Sequence, residues 1–210
     1  MKSVNLLVLS AIAAILMLSS FTFFDDKDSK TGLAKVNKMS GVEVYFMSEP
    51  LRKYEVVVQS DAILGNASVK SLSSGGLSTP TIADKANRLV KNTVNTADKD
   101  GKKIDAIIYS SGKSVVGVKF TEAPNANTEG IGKVKKVNGL DVYVFAEPLV
   151  PYEELSEGKA KAHGGAFMTG GIVNSSIEDD ITKLVDNTKD DATTAVIYTS
   201  GKTGMGVKYK

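Results

Sequence analysis

The sequence contains no cysteine and only one histidine, and these shortages exclude most of the common reactive sites. Without cysteine there can be no disulfide, thiolate zinc site, iron–sulfur cluster or cysteine nucleophile. A bacterial lipoprotein anchor, which needs a cysteine after the signal peptide, is excluded as well. The single histidine, His163, rules out metal sites built from several histidines and allows a Ser-His-Asp triad at most once. We therefore predict no catalytic residues, no cofactor and no metal site.

The excess of charge of either sign is also small. Lys and Arg number 26 and Asp and Glu number 24, which gives a formal net charge of +2. A charge this small does not indicate a nucleic-acid or membrane-surface partner. The one dense basic run, residues 133–136, holds three lysines and is typical of a solvated strand face. We predict no nucleic-acid partner, and membrane contact only through the N-terminal segment.

The first 24 residues have the pattern of a secretory signal peptide. Lys2 precedes the apolar run Leu6–Leu18, and the charged stretch Asp25–Lys30 follows. No Ala-x-Ala cleavage site is present, and Ser19-Ser20 supplies the small residues. If the segment is retained, Leu6–Phe24 is just long enough to span a bilayer. The sequence thus predicts an exported protein, periplasmic or extracellular, that is membrane-anchored if this segment is not cleaved.

The remainder of the chain contains an internal duplication. Gly32–Glu55 matches Gly130–Glu153 without a gap over 24 positions, at a constant separation of 98 residues. Asp105–Phe120 returns near the C-terminus as Thr194–Tyr209, each copy reading as strand, Ser-Gly-Lys turn and strand. Repetition of this extent indicates a duplicated structural unit.

Local signals predict the strands of each unit. Asn138-Gly139 between apolar runs is the strongest short hairpin signal, so Lys133–Val137 and Leu140–Phe145 are predicted to pair antiparallel. A further strand is predicted at Tyr54–Val58, with its copy at Tyr152–Leu155. Each unit then ends in the hairpin that contains the Ser-Gly-Lys turn.

One amphipathic helix is predicted in each unit. Apolar residues recur at i, i+4, i+7 and i+8 in Thr81–Val94 and again in Ser176–Thr188. Thr81 and Ser176 are natural N-cap residues, and each is followed three residues later by an aspartate, as in a capping box.

These elements predict an α+β fold of two tandem β-β-α-β-β repeats, each an antiparallel sheet with one helix, after the N-terminal signal segment. The predicted boundaries are a signal peptide or anchor at 1–24, a linker at 25–31, a first repeat at 32–121, a second linker at 122–128 and a second repeat at 129–210. We call the two repeats the first half and the second half. One continuous sheet and two face-packed sheets are both compatible with the pattern.

The candidate binding residues lie in the turns and in one loop. Lys113 and Lys202 follow the glycine of each Ser-Gly-Lys turn, where amides and a lysine could hold a small anion. A hairpin turn that needs glycine for its backbone explains the same motif. Tyr109 and Tyr198 precede these turns and could line a groove, or be buried strand tyrosines. His163 lies in a glycine-rich loop and is a candidate ligand-binding residue.

Two acidic positions also recur in both halves. They are Glu49 and Glu55 in the first half and Glu147 and Glu153 in the second. A carboxylate pair could serve glycoside hydrolysis or calcium binding. Surface acids are common, and we interpret these as strand-end residues that favour solubility.

Short motifs connect the chain to a known family. The order Tyr54–Val57, loop, Leu-Val helix, Asp105–Ile108 and a last strand, with Thr194–Ile197 as second copy, resembles the heavy-metal-binding class of small α+β domains. The chain is also similar to uncharacterised exported bacterial proteins. The resemblance implies the outline of the fold, and no site residue is carried over from it, because the chain lacks the cysteines and most of the histidines that a metal site would use.

No catalytic constellation is visible, so we predict an exported, non-enzymatic interaction or structural protein of the cell envelope. Its partner would be an envelope protein or a second copy of the chain. The alternative is a small-ligand or ion-binding module that uses the Gly/Ser-rich loops Ser60–Pro80 and Lys159–Asn174, where the two halves differ most. An enzyme that uses His163 with nearby carboxylates is a third possibility.

Overall fold

A computed structural model of the chain describes residues 30–61, 81–112, 114–159 and 176–210. The predicted signal segment, Lys113 and His163 lie outside these residues, as do most of the two long loops. Among the helices of the described residues, none is long and apolar enough to cross a membrane.

Each half contributes seven strands and one helix to the described structure. The first half contains β1 (Leu33–Val36), β2 (Lys38–Met39), β3 (Val42–Phe46), β4 (Ser48–Pro50), β5 (Tyr54–Asp61), α1 (Ile82–Lys99), β6 (Ala106–Tyr109) and β7 (Ser114–Phe120). The second half contains β8 (Ile131–Val134), β9 (Lys136–Val137), β10 (Leu140–Val144), β11 (Ala146–Pro148), β12 (Tyr152–Lys159), α2 (Ile177–Thr188), β13 (Ala195–Tyr198) and β14 (Thr203–Tyr209).

One large sheet runs through both halves in the order β12-β14-β13-β10-β3-β6-β7-β5. The halves meet at its centre, where β10 and β3 pair antiparallel through Val144 and Phe46. Within each half, β3–β6 and β10–β13 are parallel, because a crossover that includes the helix connects them. The short strands β2 and β9 pair with β3 and β10.

A second, four-stranded sheet is made by strand exchange between the halves. Its order is β11-β1-β8-β4, so β1 of the first half lies between two strands of the second, and β8 lies between two strands of the first. Pro50 and Pro148 both lie on its edge strands, where the missing N–H of proline costs no ladder hydrogen bond.

The predicted fold class is therefore wrong in its arrangement. Tandem β-β-α-β-β repeats with purely antiparallel sheets would contain neither the parallel pairs nor a sheet shared strand by strand between the halves. The molecule is mostly β-sheet with an α+β character, and each half reads β-β-β-β-β-α-β-β in the described residues. Whether 32–121 and 129–210 are separate domains stays a prediction.

Two buried residues with left-handed backbone explain the difference. Met47 and Phe145 have φ values of 53° and 55° and redirect the chain from the large sheet into the small one. The Met47 amide donates to the Tyr109 carbonyl of its own half at 2.8 Å, whereas its carbonyl accepts from the Lys135 amide of the other half at 2.8 Å. Bulky residues rarely adopt this conformation. The apolar stretches that contain Met47 and Phe145 therefore do not indicate that the chain changes sheet there.

The large sheet is covered on both faces, by the helices on one side and by the small sheet on the other. Alternate residues of β3 face the two sides, as strand geometry requires: Val44 and Phe46 join the core under the helices, and Tyr45 joins the core under the small sheet. The other half repeats this layering with Val142, Val144 and Tyr143.

The predicted helix starts and C-terminal hairpins are confirmed, and the predicted hairpin at Asn138-Gly139 is confirmed in part. The side chains of Thr81 and Ser176 accept hydrogen bonds from the amides three residues on, and both helices have complete capping boxes. The predicted pairing of Lys133–Val137 with Leu140–Phe145 is confirmed only next to the turn, where Val137 pairs with Leu140 and Lys136 with Asp141. Lys133 and Val134 belong instead to β8 of the small sheet. Both C-terminal hairpins form. The first helix ends five residues later than predicted, at Lys99.

The two halves are related by an approximate two-fold axis that passes through all three layers. Residues at equivalent positions of the two halves face each other in each layer. These pairs are Ala34 with Gly132 in the small sheet, Phe46 with Val144 in the large sheet, and Lys85 with Asp180 between the helices. The halves are thus arranged as the two subunits of a symmetric dimer would be.

Candidate functional site

The predicted tyrosines are buried and bonded to their own turns. Tyr109 and Tyr198 lie in the core under the helices. The Tyr109 hydroxyl donates to the Gly112 carbonyl at 3.1 Å, and the Tyr198 hydroxyl donates to the Gly201 carbonyl at 2.8 Å. Burial raises the pKa of Tyr109 to about 12 and also raises the pKa of Tyr198. Both side chains hold a hairpin in shape.

Each Ser-Gly-Lys turn lies beside the N-terminus of the other half's helix. The Gly112 amide donates to Glu178 Oε2 at 2.9 Å, and the Ala83 amide donates to the Tyr198 hydroxyl at 3.1 Å. The Gly112 donor that an anion cradle would use is therefore already bonded to a carboxylate. Lys202 is exposed at the second turn.

Another chemical difference between the halves lies in a groove on the second half. This acidic groove of about 670 Å³ lies on the small-sheet side of β12, β14 and β13. Its acidic residues are Glu147, Glu154 and Glu157, and residues with hydroxyl groups along it include Thr199, Ser200 and Thr203. Apolar contact surface is supplied by Leu155, Ile197 and Met205.

A β-bulge places the two central carboxylates together. The β12–β14 register shifts between Glu154 and Ser156, which leaves Leu155 as the extra residue. In a regular strand, residues three apart point to opposite faces. Because the bulge adds one residue, Glu154 and Glu157 both line the groove. Neither carboxylate forms an ion pair with a lysine or arginine of the described residues.

The third glutamate lies at the border between the two sheets. Glu147, on β11, accepts a hydrogen bond from the Tyr152 hydroxyl at 3.3 Å and remains exposed. Burial and the neighbouring Glu147 charge raise the pKa of Tyr152, so this phenol stays a neutral donor at physiological pH. Beneath these acids Ile197 is buried and Met205 packs against the core, which gives the groove an apolar floor.

The equivalent surface of the first half is uncharged at two of the three glutamate positions. Val56 and Gln59 occupy the positions of Glu154 and Glu157, although β5 has the same bulge, between Val56 and Val58. Glu49, the equivalent of Glu147, accepts hydrogen bonds from Tyr54 at 3.1 Å and from Ser110 at 2.6 Å. Its oxygens are thus both engaged. Two of the three carboxylates of this surface are thus found in the second half alone.

The groove borders a terminal strand of the large sheet. In the part of the chain that the structure describes, β12 and β5 each have a strand neighbour on one side only. The β5 edge carries a cation, because Lys102 Nζ donates to the Val57 carbonyl at 3.1 Å. The position of Lys102 is occupied by Asp191 in the second half.

Sequence reasoning missed this groove, although a signal for it was present. The match at a separation of 98 residues continues past Glu55 and Glu153 into the edge strands, where Val-Val-Val-Gln is replaced by Glu-Leu-Ser-Glu. That replacement adds two negative charges to one strand face. The glutamates are recognised as a site only when the bulge shows which side chains lie on that face.

Comparisons with known proteins add no relative to this picture. Scans against protein-family models, curated proteins and solved structures find no match for this chain. The resemblance to heavy-metal-binding domains stays a prediction, and the assignment of the groove depends on geometry and charge.

Proposed function

We propose that this is an exported, non-enzymatic interaction protein whose second half binds a basic, extended segment of a partner in the acidic groove. The observation that carries the proposal is the pair Glu154 and Glu157, which share one face and form no ion pair with a lysine or arginine of the described residues. The first half keeps the same backbone bulge with neutral side chains. The two halves thus share the backbone of this surface and differ in the charge of its side chains.

Binding would combine two kinds of contact. An extended segment that adds to the edge of β12 would gain main-chain hydrogen bonds, as in β-strand addition. Every second side chain of that segment would face the groove, because strand side chains alternate. Lysine or arginine at those positions would meet the glutamates, and their aliphatic stems would cover the apolar floor near Met205. Charge complementarity would select basic partners and speed their association.

The first test is the binding of a lysine-rich peptide by the full chain. We expect an eight-residue peptide of alternating Lys and Thr, matched to the eight residues of β12, to bind the wild type at low salt. The variant E154Q/E157Q should bind about tenfold more weakly, because each change removes a charge and keeps the shape. Isothermal titration calorimetry at two salt concentrations measures both effects, and higher salt should weaken wild-type binding.

A matched control lies on the same strand. Glu153 pairs in register with Lys208 and does not line the groove, so E153Q should bind the peptide as the wild type does. Equal binding by the wild type and E154Q/E157Q, or no binding by the wild type, would contradict the proposal. Tight binding of spermine with none of the peptide would favour the small-ligand alternative.

A further inference from the structure

The helices meet at a buried ion pair that lies on the approximate two-fold axis. Lys85 Nζ and Asp180 Oδ2 are 2.6 Å apart, and the two side chains are 6% and 18% exposed. Lys85 is the fourth residue after the N-cap Thr81, and Asp180 is the fourth residue after the N-cap Ser176. They are therefore the same position of the repeat, present once as a lysine and once as an aspartate.

When a residue faces its own equivalent across a two-fold axis, a pair of identical halves would bring two identical side chains into contact. If two copies of the first half paired in this way, lysine would face lysine, and two second halves would place aspartate against aspartate. Like charges that are largely shielded from solvent repel strongly, because water does not screen them. Only the pairing of a first half with a second half places opposite charges together.

The small sheet adds a steric difference at the same axis. Gly132 faces its equivalent Ala34, and a Cβ on Gly132 would lie 2.9 Å from the Glu49 carbonyl oxygen and 2.9 Å from the Tyr45 ring. Both contacts belong to the first half. If two first halves paired, Ala34 would have to occupy the place of Gly132 against the same backbone, which has no room for its methyl group.

We infer that the axis residues make the pairing of halves selective: Lys85, Asp180 and Gly132 allow a first half to join a second half and exclude two copies of either. A buried ion pair is weak evidence for stability, since apolar replacements of similar size are often tolerated. Its use here is to specify the partner, as charged and polar core residues do in coiled coils. The partner that this surface fits is the complementary half, in the same chain or in a second copy.

The test uses the full chain with a protease site inserted in its exposed linker, between Ala126 and Asn127. The folded protein is cleaved, unfolded in denaturant and refolded, and native mass spectrometry counts the three possible pairs of halves. For the wild type we expect mixed pairs in about tenfold or greater excess over the statistical ratio. In K85M/D180L the charge is gone, so pairs of two second halves should rise about tenfold.

The lack of room at Gly132 predicts a result distinct from that of the ion pair. Pairs of two first halves should stay rare in K85M/D180L and appear only when A34G is added. The charge swap K85D/D180K should keep mixed pairs dominant. Exclusively mixed pairs in K85M/D180L/A34G would overturn the inference.

A second readout does not depend on refolding of the cleaved halves. In the intact chain, K85D places two aspartates on the axis and should lower the thermal midpoint by about 5 to 10 °C, and K85D/D180K should recover most of this loss. A K85D protein as stable as the wild type would show that like charges are tolerated on the axis, which would also overturn the inference.

Discussion

Replacing Arg52 by valine should destabilise the protein by about 3 to 5 kcal/mol, because it leaves a buried carboxylate without its cation. Arg52 Nη2 lies 2.7 Å from both carboxylate oxygens of Glu43, and both side chains are buried. The Arg52 guanidinium also stacks 3.4 Å above the Phe120 ring. Denaturant unfolding of R52V, compared with the wild type, measures the change in the free energy of unfolding.

The second half holds its own buried carboxylate without an arginine. Asp141 is equivalent to Glu43, and Val150 stands in the place of Arg52. The Tyr209 hydroxyl donates to Asp141 Oδ2 at 2.7 Å and shares a 2.7 Å hydrogen bond with the Tyr143 hydroxyl. Burial raises the pKa of Tyr143 to about 12 and also raises that of Tyr209, so both phenols keep their protons.

This natural difference supplies the control for R52V. The triple variant E43D/R52V/F120Y copies the second-half residues into the first half, where Tyr45 already donates to Glu43 Oε2 at 2.6 Å. We expect the triple variant to recover most of the stability lost in R52V, because a phenol replaces the guanidinium as donor. If R52V unfolds at the wild-type denaturant concentration, Arg52 does not compensate the buried charge and the explanation is wrong.

Gly158 should not tolerate serine, the residue that the first half carries at this position. A Cβ on Gly158 would lie 2.8 Å from the Thr188 Cα, so the backbone of α2 would have to move. We expect G158S to lose about 3 kcal/mol, toward the upper end of the usual cost of overpacking, because a backbone atom cannot rotate away. Denaturant unfolding at equilibrium measures the loss.

The equivalent contact in the first half provides the comparison. There Ser60 Oγ and Thr93 Oγ1 share a hydrogen bond of 2.8 Å, so α1 leaves room for a side chain. The reverse change, S60G, removes that hydrogen bond and should cost only about 1 kcal/mol. Similar losses in G158S and S60G would mean that the two helices pack at the same distance from the sheet, contrary to the structure.

The parts of the fold that sequence reasoning predicted are those with local causes. Thr81 and Ser176 start helices because their side chains bond the first free amides, and Asn138-Gly139 forms a turn because both residues accept positive φ. The exchange of strands between halves has no such local cause. It depends on the left-handed backbone of Met47 and Phe145, and neither methionine nor phenylalanine is a residue type for which this conformation would be predicted.

The candidate site shows the same limit. The sequence leaves open whether Tyr109 and Tyr198 line a groove or are buried strand tyrosines, and the structure places them in the core, bonded to their turns. The acidic groove can be recognised only when the position of the bulge at Leu155 is known, because in a strand without the bulge Glu154 and Glu157 would point to opposite faces. Charge differences between repeats locate such a surface only after the strand register is known.

The most direct measurement of the central claim is a transfer of the groove to the first half. The variant V56E/Q59E/K102D places the second-half residue at three equivalent positions on a strand that already has the bulge. We expect calorimetry with the alternating Lys-Thr peptide to change from one peptide per chain to two. A stoichiometry that stays at one, in a variant that remains folded, would show that these carboxylates do not make the binding site.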